Sequence, residues 1–390
     1  MCRATGALTR LSANNIPEWK GRKLDSVRLN TERFRTVARL YQGSQEYRLH
    51  LTGNMPADNM PAAISQRKLG ASDIHVSALA LGGHHLGNTK SEQVSLQIIR
   101  EALEGGITTF DNCWEYHLGA TELMVGKALR GKRDQVVLMT KVCTHGRDKN
   151  LAMQMLEESL RRLQTDHLDI WQIHGVTFYN DPELFIRPNG AAEALQLAKR
   201  QGKVRAVGFT GHKDPRIHMA MLETNFPFDT CQFPLNPMDA NFRSFERTVL
   251  PECQRRGIAV LGMKPMGGAG DMITKGAVTA EECLRYAMSL PVATTIAGVD
   301  KLEVLHQNLK VAHSFQPLPE SEMQSLRDRV KPWAGDGHFE LYKTSIKYDN
   351  PQARLTHDFP LDDKSVEVEE MISAVKNTGR PFTTMPPPAK

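Results

Sequence analysis

Eight short apolar runs, each followed by an amphipathic stretch, constrain this chain more than any other feature. The runs fall near residues 78–82, 107–110, 136–140, 168–173, 203–209, 229–233, 258–262 and 293–297. Between them the spacing predicts helices at 91–104, 149–163, 189–201, 214–223, 244–256 and 279–289, with a last helix near 301–313. Eight strand–helix alternations suit a closed (β/α)8 TIM barrel of the α/β class better than an open doubly wound sheet. No G-x-G-x-x-G follows the first run, since Gly82-Gly83-His84-His85-Leu86-Gly87 has the wrong spacing, which argues against a Rossmann domain.

The expected organisation is an N-terminal extension over 1–65, a barrel over 66–313 and a C-terminal tail over 314–390. The extension has no sustained periodicity and ends in Asn54-Met55-Pro56-Ala57-Asp58-Asn59-Met60-Pro61, which reads as a flexible linker. Its arginines suit an organelle import peptide, but Glu18, Asp25, Glu32 and Glu46 argue against one, so a cytoplasmic protein is expected. The tail is rich in proline and charge. Phe339-Glu340-Leu341-Tyr342 is expected to pack across the barrel mouth as a lid, and Met385-Pro386-Pro387-Pro388 to be a loose end.

Residues 1–60 hold ten Lys+Arg and five Asp+Glu, leaving 39 of each sign in the remainder. The main body is therefore balanced and carries no electrostatic footprint for nucleic acid. Cys2, Cys113, Cys143, Cys231, Cys253 and Cys283 form no C-x-x-C pair and read as reduced thiols. No apolar run approaches the roughly 18 residues of a membrane span.

Four polar residues of different types end or follow successive predicted strands, at the edge of a parallel barrel that carries its chemistry. Asp111 and Tyr116 follow the run ending at Phe110, Lys141 closes the next, and His174 closes the one after. Singly, each has a structural explanation: a helix cap, a half-buried aromatic, a solvated strand end, a satisfied imidazole. Together they suit carbonyl reduction. A phenol donates a proton to the incipient alkoxide, an ammonium lowers the phenol's pKa, a carboxylate holds the ammonium, and a neutral imidazole orients the carbonyl.

Residues 66–313 resemble the aldo-keto reductase superfamily. The resemblance rests on Arg67-Lys68-Leu69-Gly70, Phe110-Asp111-Asn112-Cys113-Trp114-Glu115-Tyr116, Thr140-Lys141, Asp169-Ile170-Trp171-Gln172-Ile173-His174 and Gly202-Lys203-Val204-Arg205-Ala206-Val207-Gly208. It implies reduction of aldehydes or ketones by NADPH, with the family's tetrad on Asp111, Tyr116, Lys141 and His174. It also implies carboxamide contacts from Thr210 and Gln232, although Thr210-Gly211-His212 stands where the family has a Ser-Asn pair. Met263 takes the place of a ring that stacks on the nicotinamide. Lys264, Gly267 and Gly268 follow in the loop expected to approach the pyrophosphate, and Gly298, Lys301 and Asn308 fall in the adenosine-end motif. The arginine usual for the 2′-phosphate is absent; Lys301 or Lys264 would stand in as a point charge, and NAD remains an alternative cofactor.

Two other classes stay open. His84, His85, His117, His145, His174 and His212 all lie near predicted strand ends, which suits a metal-dependent hydrolase or isomerase, though without H-x-H or H-E-x-x-H spacing. A nucleotide-binding sensor or partner subunit is the other. With Trp114, His85, His145 and Phe178 expected to line the pocket, the small-molecule carbonyl substrate is left open between an apolar ring and a sugar.

Overall fold

The computed structural model describes residues 63–142, 148–268 and 270–349. Expectations for residues 1–62, for His145 and for the proline-rich stretch from Met385 lie outside them. An antiparallel hairpin, β1 (Gln66–Lys68) and β2 (His75–Ser77), comes first. Then β3 (Leu79–Gly82), β4 (Thr109–Asp111), β5 (Val137–Val142), β6 (Leu168–Ile173), β7 (Val204–Thr210), β8 (Thr230–Pro234), β9 (Ala259–Met263) and β10 (Thr294–Gly298) close into a barrel. All pairs are parallel, β10 returning to β3. Each strand lies within two residues of a predicted run.

Local chemistry sets the helix boundaries. Asp148 accepts from the N–H groups of Asn150 and Leu151 at the start of helix Lys149–Leu163, and Thr279 with Glu282 forms a reciprocal capping box ahead of Ala280–Ser289. Strand parity then divides the apolar side chains. Leu138, Trp171, Val207 and Val260 face the surrounding helices, while Ala80, Val137, Met139, Ile170, Ala206, Ala259, Leu261 and Ile296 fill the barrel interior. Leu69, Ile74 and Val76 of the hairpin join the interior cluster, so the hairpin plugs the end at which the strands begin. Arg67 ties it down by donating to the carbonyls of Val292 and Met288 at 3.0 and 2.9 Å. The other end is left for chemistry.

The segment expected to be a tail contains a fifteen-residue helix, Glu320–Ala334, that sequence reasoning missed. Met323, Leu326, Val330 and Ala334 recur at helical spacing and are buried, but Pro332 and the charged residues between them obscured the period. Residues 338–349 are also seated: Lys343 sits buried between Asp239 and Glu340, 2.8 Å from each, and Lys213 reaches Asp349 at 2.7 Å. Truncation after Val330 would remove Glu340, Lys343 and Asp349 and leave the buried Asp239 and Lys213 without these partners, so it is expected to destabilise the barrel as loss of a detached lid would not. Among the described residues no helix is long and apolar enough to cross a membrane.

Candidate active site

The same parity that fills the lower barrel with Val137 and Met139 turns Lys141 inward at its upper end. Asp111 pairs in register with Met139 across β4 and β5, one pleat below Lys141, and the two side chains meet in a buried ion pair. Lys141 also donates to the Asn112 carbonyl at 2.8 Å. Asp111 has a second neighbour in the Gln232 amide, 3.4 Å away, and that amide lies 3.7 Å from the Met263 sulfur. Thr210 pairs with Gln232 across β7 and β8, and its hydroxyl is 4.0 Å from the same sulfur. Asp111, Lys141, Thr210, Gln232 and Met263 thus form one contiguous patch at the strand ends.

Tyr116 follows on the turn after β4. Its ring stands edge-on to His174 with centroids 5.7 Å apart and edge-on to His84 at 5.2 Å, and the Lys141 ammonium lies 5.4 Å from its centroid. The turn is strained: His117 and Leu118 have φ of 48° and 56°, a left-handed conformation that costs side-chain-bearing residues about 1–3 kcal/mol each. Gly119 continues it at φ 88°, where a side chain would also collide with Arg162.

Arg162 holds this turn in place. It donates to the Trp114 carbonyl at 2.9 Å and pairs with Glu158 and with the fully buried Glu122. Glu122 in turn accepts from Thr140 at 2.6 Å and Ser159 at 2.7 Å, and burial raises its pKa against these bonds. Arg162→Ala is expected to lower unfolding free energy by about 3 kcal/mol, since it strands a buried carboxylate. Denaturant unfolding checks this; a loss below about 1 kcal/mol would show that the network adds little.

The field around Tyr116 differs from the sequence expectation. Its pKa is raised, not lowered, because burial dominates and the charges of Asp111, Cys113 and Glu115 add to it. The Lys141 ammonium, paired with Asp111, does not outweigh these contributions. The phenol is therefore held protonated. Burial similarly brings His84 down to about 4, with the imidazoles of His85 and His117 contributing, and lowers His85 and His212. Near neutral pH these three rings are uncharged. His174 differs in having an acidic partner, Glu115, which meets its Nδ1.

The remaining sequence candidates spread around the rim. Lys264, at φ 52°, lies 5.6 and 5.2 Å from the ring centroids of Tyr342 and Tyr348; burial and the Lys141 charge bring its pKa down to about 8. Gly267 and Gly268 take φ of 71° and 85°, and Gly268 faces the Tyr342 ring. Gly298 lets the His85 imidazole lie against β10, where a Cβ would collide with it. Lys301 is exposed and precedes helix Leu302–His313, while Asn308 is buried within that helix. Two residues expected to line the pocket have partners of their own within the fold. Trp114 donates to Glu158 at 2.9 Å and lies under Arg162, and Phe178 is buried at 1 % exposure. Sequence reasoning missed Glu115 and Tyr348, and only the proximity of Glu115 to Tyr116 in the chain gave a signal; Tyr342 lies against Gly268 and Lys264, in the segment expected at the barrel mouth.

A buried polar atom without a partner marks where a ligand's polar group fits. Gln232 Oε1 and Asn308 Nδ2 are two such atoms. An amide-bearing ring over Gln232, Thr210 and Met263 would satisfy the first.

Residues 78–275 match the family model described as the aldo/keto reductase family. The aldo-keto reductase YhdN of Bacillus subtilis is 32 % identical over 209 residues, a match covering 51 % of this chain and 60 % of that protein. Among solved structures, the holo form of an aldo-keto reductase from Bacillus halodurans superposes with a TM-score of 0.59 at 25 % identity, covering 68 % of this chain and 96 % of that one. An aldo-keto reductase from Klebsiella pneumoniae in complex with NADPH gives 0.56 at 25 % identity, covering 69 % and 96 %. With a family match spanning half its length, a closed eight-stranded parallel barrel and the polar patch at the strand ends, this chain belongs to the aldo/keto reductase family.

Proposed function

We propose that the chain reduces an aldehyde or ketone to an alcohol with NADPH, and that Tyr116 donates the proton. One observation carries the reading: a phenol held protonated stands between the Lys141 ammonium and the His174 imidazole, above the buried Asp111–Lys141 pair. When bound, the nicotinamide supplies the hydride. His174 orients the carbonyl, and Tyr116 delivers its proton as negative charge builds on the oxygen. The phenolate left behind is stabilised by the Lys141 charge, which Asp111 keeps in position. Neutral His84, His85 and His212 add no competing charge to the mouth.

Support for a nicotinamide comes from Gln232, Thr210 and Met263, with an unpartnered amide oxygen on Gln232. Gly267 and Gly268 would let backbone approach a pyrophosphate, Gly298 seats the His85 imidazole against β10 at the mouth, and Asn308 holds an unpartnered amide for the adenosine end. Lys301 precedes a helix whose N-terminal N–H groups have no side-chain cap, an arrangement that favours phosphate. The Klebsiella neighbour bound to NADPH makes the phosphorylated cofactor the first choice. A fluorescence titration with NADPH and NADH tests it, and equal or tighter binding of NADH would remove the preference.

Lys264 makes cofactor binding depend on pH. An anion binds the charged form, and the free protein loses that charge as pH rises through about 8. NADPH affinity is therefore expected to hold from pH 6 to 7.5 and to fall up to about tenfold per unit above 8. Lys264→Met should bind more weakly at pH 7 and lose this slope. A slope unchanged by the substitution would assign the dependence to another group.

A further inference from the structure

The turn carrying Tyr116 brings two residues that carbonyl reduction does not require, Cys113 and Glu115, beside His174, which follows β6. Cys113 Sγ, a carboxylate oxygen of Glu115 and a ring nitrogen of His174 lie within 4.8 Å of one another. A thiolate, an imidazole and a carboxylate are the ligand types that zinc takes, at about 2.0–2.3 Å each. Neighbouring tetrahedral ligands at those lengths stand about 3.5 Å apart, so Glu115 and the His174 nitrogen that it meets would part by about an ångström to admit an ion between them, while Cys113 Sγ would close by little more than an ångström.

The backbone at these donors is fixed. The Trp114 N–H donates to the Lys141 carbonyl at 3.1 Å, the Tyr116 N–H to the Cys113 carbonyl at 3.1 Å, and the His174 N–H to the Val142 carbonyl at 3.0 Å. The Cys113 N–H donates to Asn112 Oδ1 at 2.9 Å. These bonds tie the Cys113–Glu115 turn to the end of β5, and His174 to the same strand end. Access is graded as well. The side chains of Glu115 and His174 are each 18 % exposed, and Cys113 is buried behind them. An ion arriving from the mouth would meet the carboxylate and imidazole first and the sulfur last.

We propose that Cys113, Glu115 and His174 form an inhibitory site for a thiophilic divalent cation, zinc foremost. Binding releases the thiol proton of Cys113 to solvent, so a thiolate and a carboxylate offset the two positive charges while His174 binds as the neutral ring. The nearby Lys141 ammonium is already compensated by Asp111. Once ligated, the His174 ring is held in the orientation that the ion requires, and a cation sits beside the Tyr116 ring. Loss of reductase activity on zinc binding rests on the function proposed above; existence of the site does not.

The test uses reduced, metal-free full-length protein titrated with Co2+ in the absence of nucleotide. A near-ultraviolet thiolate-to-cobalt charge-transfer band is expected together with intense visible bands of four-coordinate cobalt. Cys113→Ala should abolish the charge-transfer band, and Glu115→Gln should raise the half-saturating cobalt concentration at least tenfold. No charge-transfer band in the wild type, or an undiminished one in Cys113→Ala, overturns the site. In the reductase assay zinc should inhibit the wild type reversibly on chelation and leave Cys113→Ala at least tenfold less sensitive. Equal sensitivity of the two overturns the inhibitory role. A protein that turns over no carbonyl yet gives the cobalt bands keeps the site and loses the reductase reading.

Discussion

Tyr116→Phe is expected to lower kcat for carbonyl reduction by about 10²–10⁴-fold while leaving NADPH affinity within about twofold of the wild type. Phenylalanine keeps the ring, and with it the edge contacts to His84 and His174. The backbone N–H of residue 116 still donates to Cys113. What disappears is the hydroxyl proton, held on the phenol by burial and by the charges of Asp111, Cys113 and Glu115. The loss should therefore appear in kcat at every accessible pH and not in thermal stability. A Phe variant with kcat within about threefold of the wild type would take the proton-donor role from Tyr116.

Lys141→Met is expected to destabilise the chain by about 3–5 kcal/mol as well as to remove most of its activity. Asp111 is 4 % exposed, and without the ammonium its remaining side-chain hydrogen-bond partner among the described residues is the Gln232 amide at 3.4 Å. A buried carboxylate so placed must either take up a proton or bring in water. The double variant Lys141→Met with Asp111→Asn removes both charges and should recover more than half of the lost stability without recovering activity. Urea unfolding of the set, read against kcat, separates the two effects. Recovery of activity in the double variant would mean that the pair acts only by holding the barrel together.

The strands and most helices were legible because parallel strands and amphipathic helices carry distinct periods, and caps such as Asp148 and Thr279 mark the boundaries. Helix Glu320–Ala334 was not, because Pro332 and the buried Arg327 break its apolar stripe; Arg327 is inside because Glu246 at 2.8 Å, Glu320 at 2.5 Å and the Tyr286 hydroxyl at 2.7 Å hold its guanidinium. At the site, strand ends pointed to Asp111, Lys141 and His174, and parity brings Asp111 and Lys141 into contact. The direction of the Tyr116 shift was not legible. It depends on how completely Asp111 absorbs the Lys141 charge and on how deeply the ring is buried, and neither quantity is local in sequence. The same holds for Trp114, whose indole turns to Glu158 on another element, and for Tyr348, some 80 residues beyond the lysine it flanks.

Isotope transfer tests the central claim most directly. NADPH deuterated at the transferring position of the nicotinamide is incubated with the enzyme and a mixed aldehyde panel, and the alcohols are analysed by mass spectrometry. One deuterium on the carbinol carbon of a product, formed by the wild type and at least a hundredfold more slowly by Tyr116→Phe, is the predicted result. Bound NADPH that transfers no deuterium to any carbonyl, or equal transfer by wild type and variant, would contradict the account.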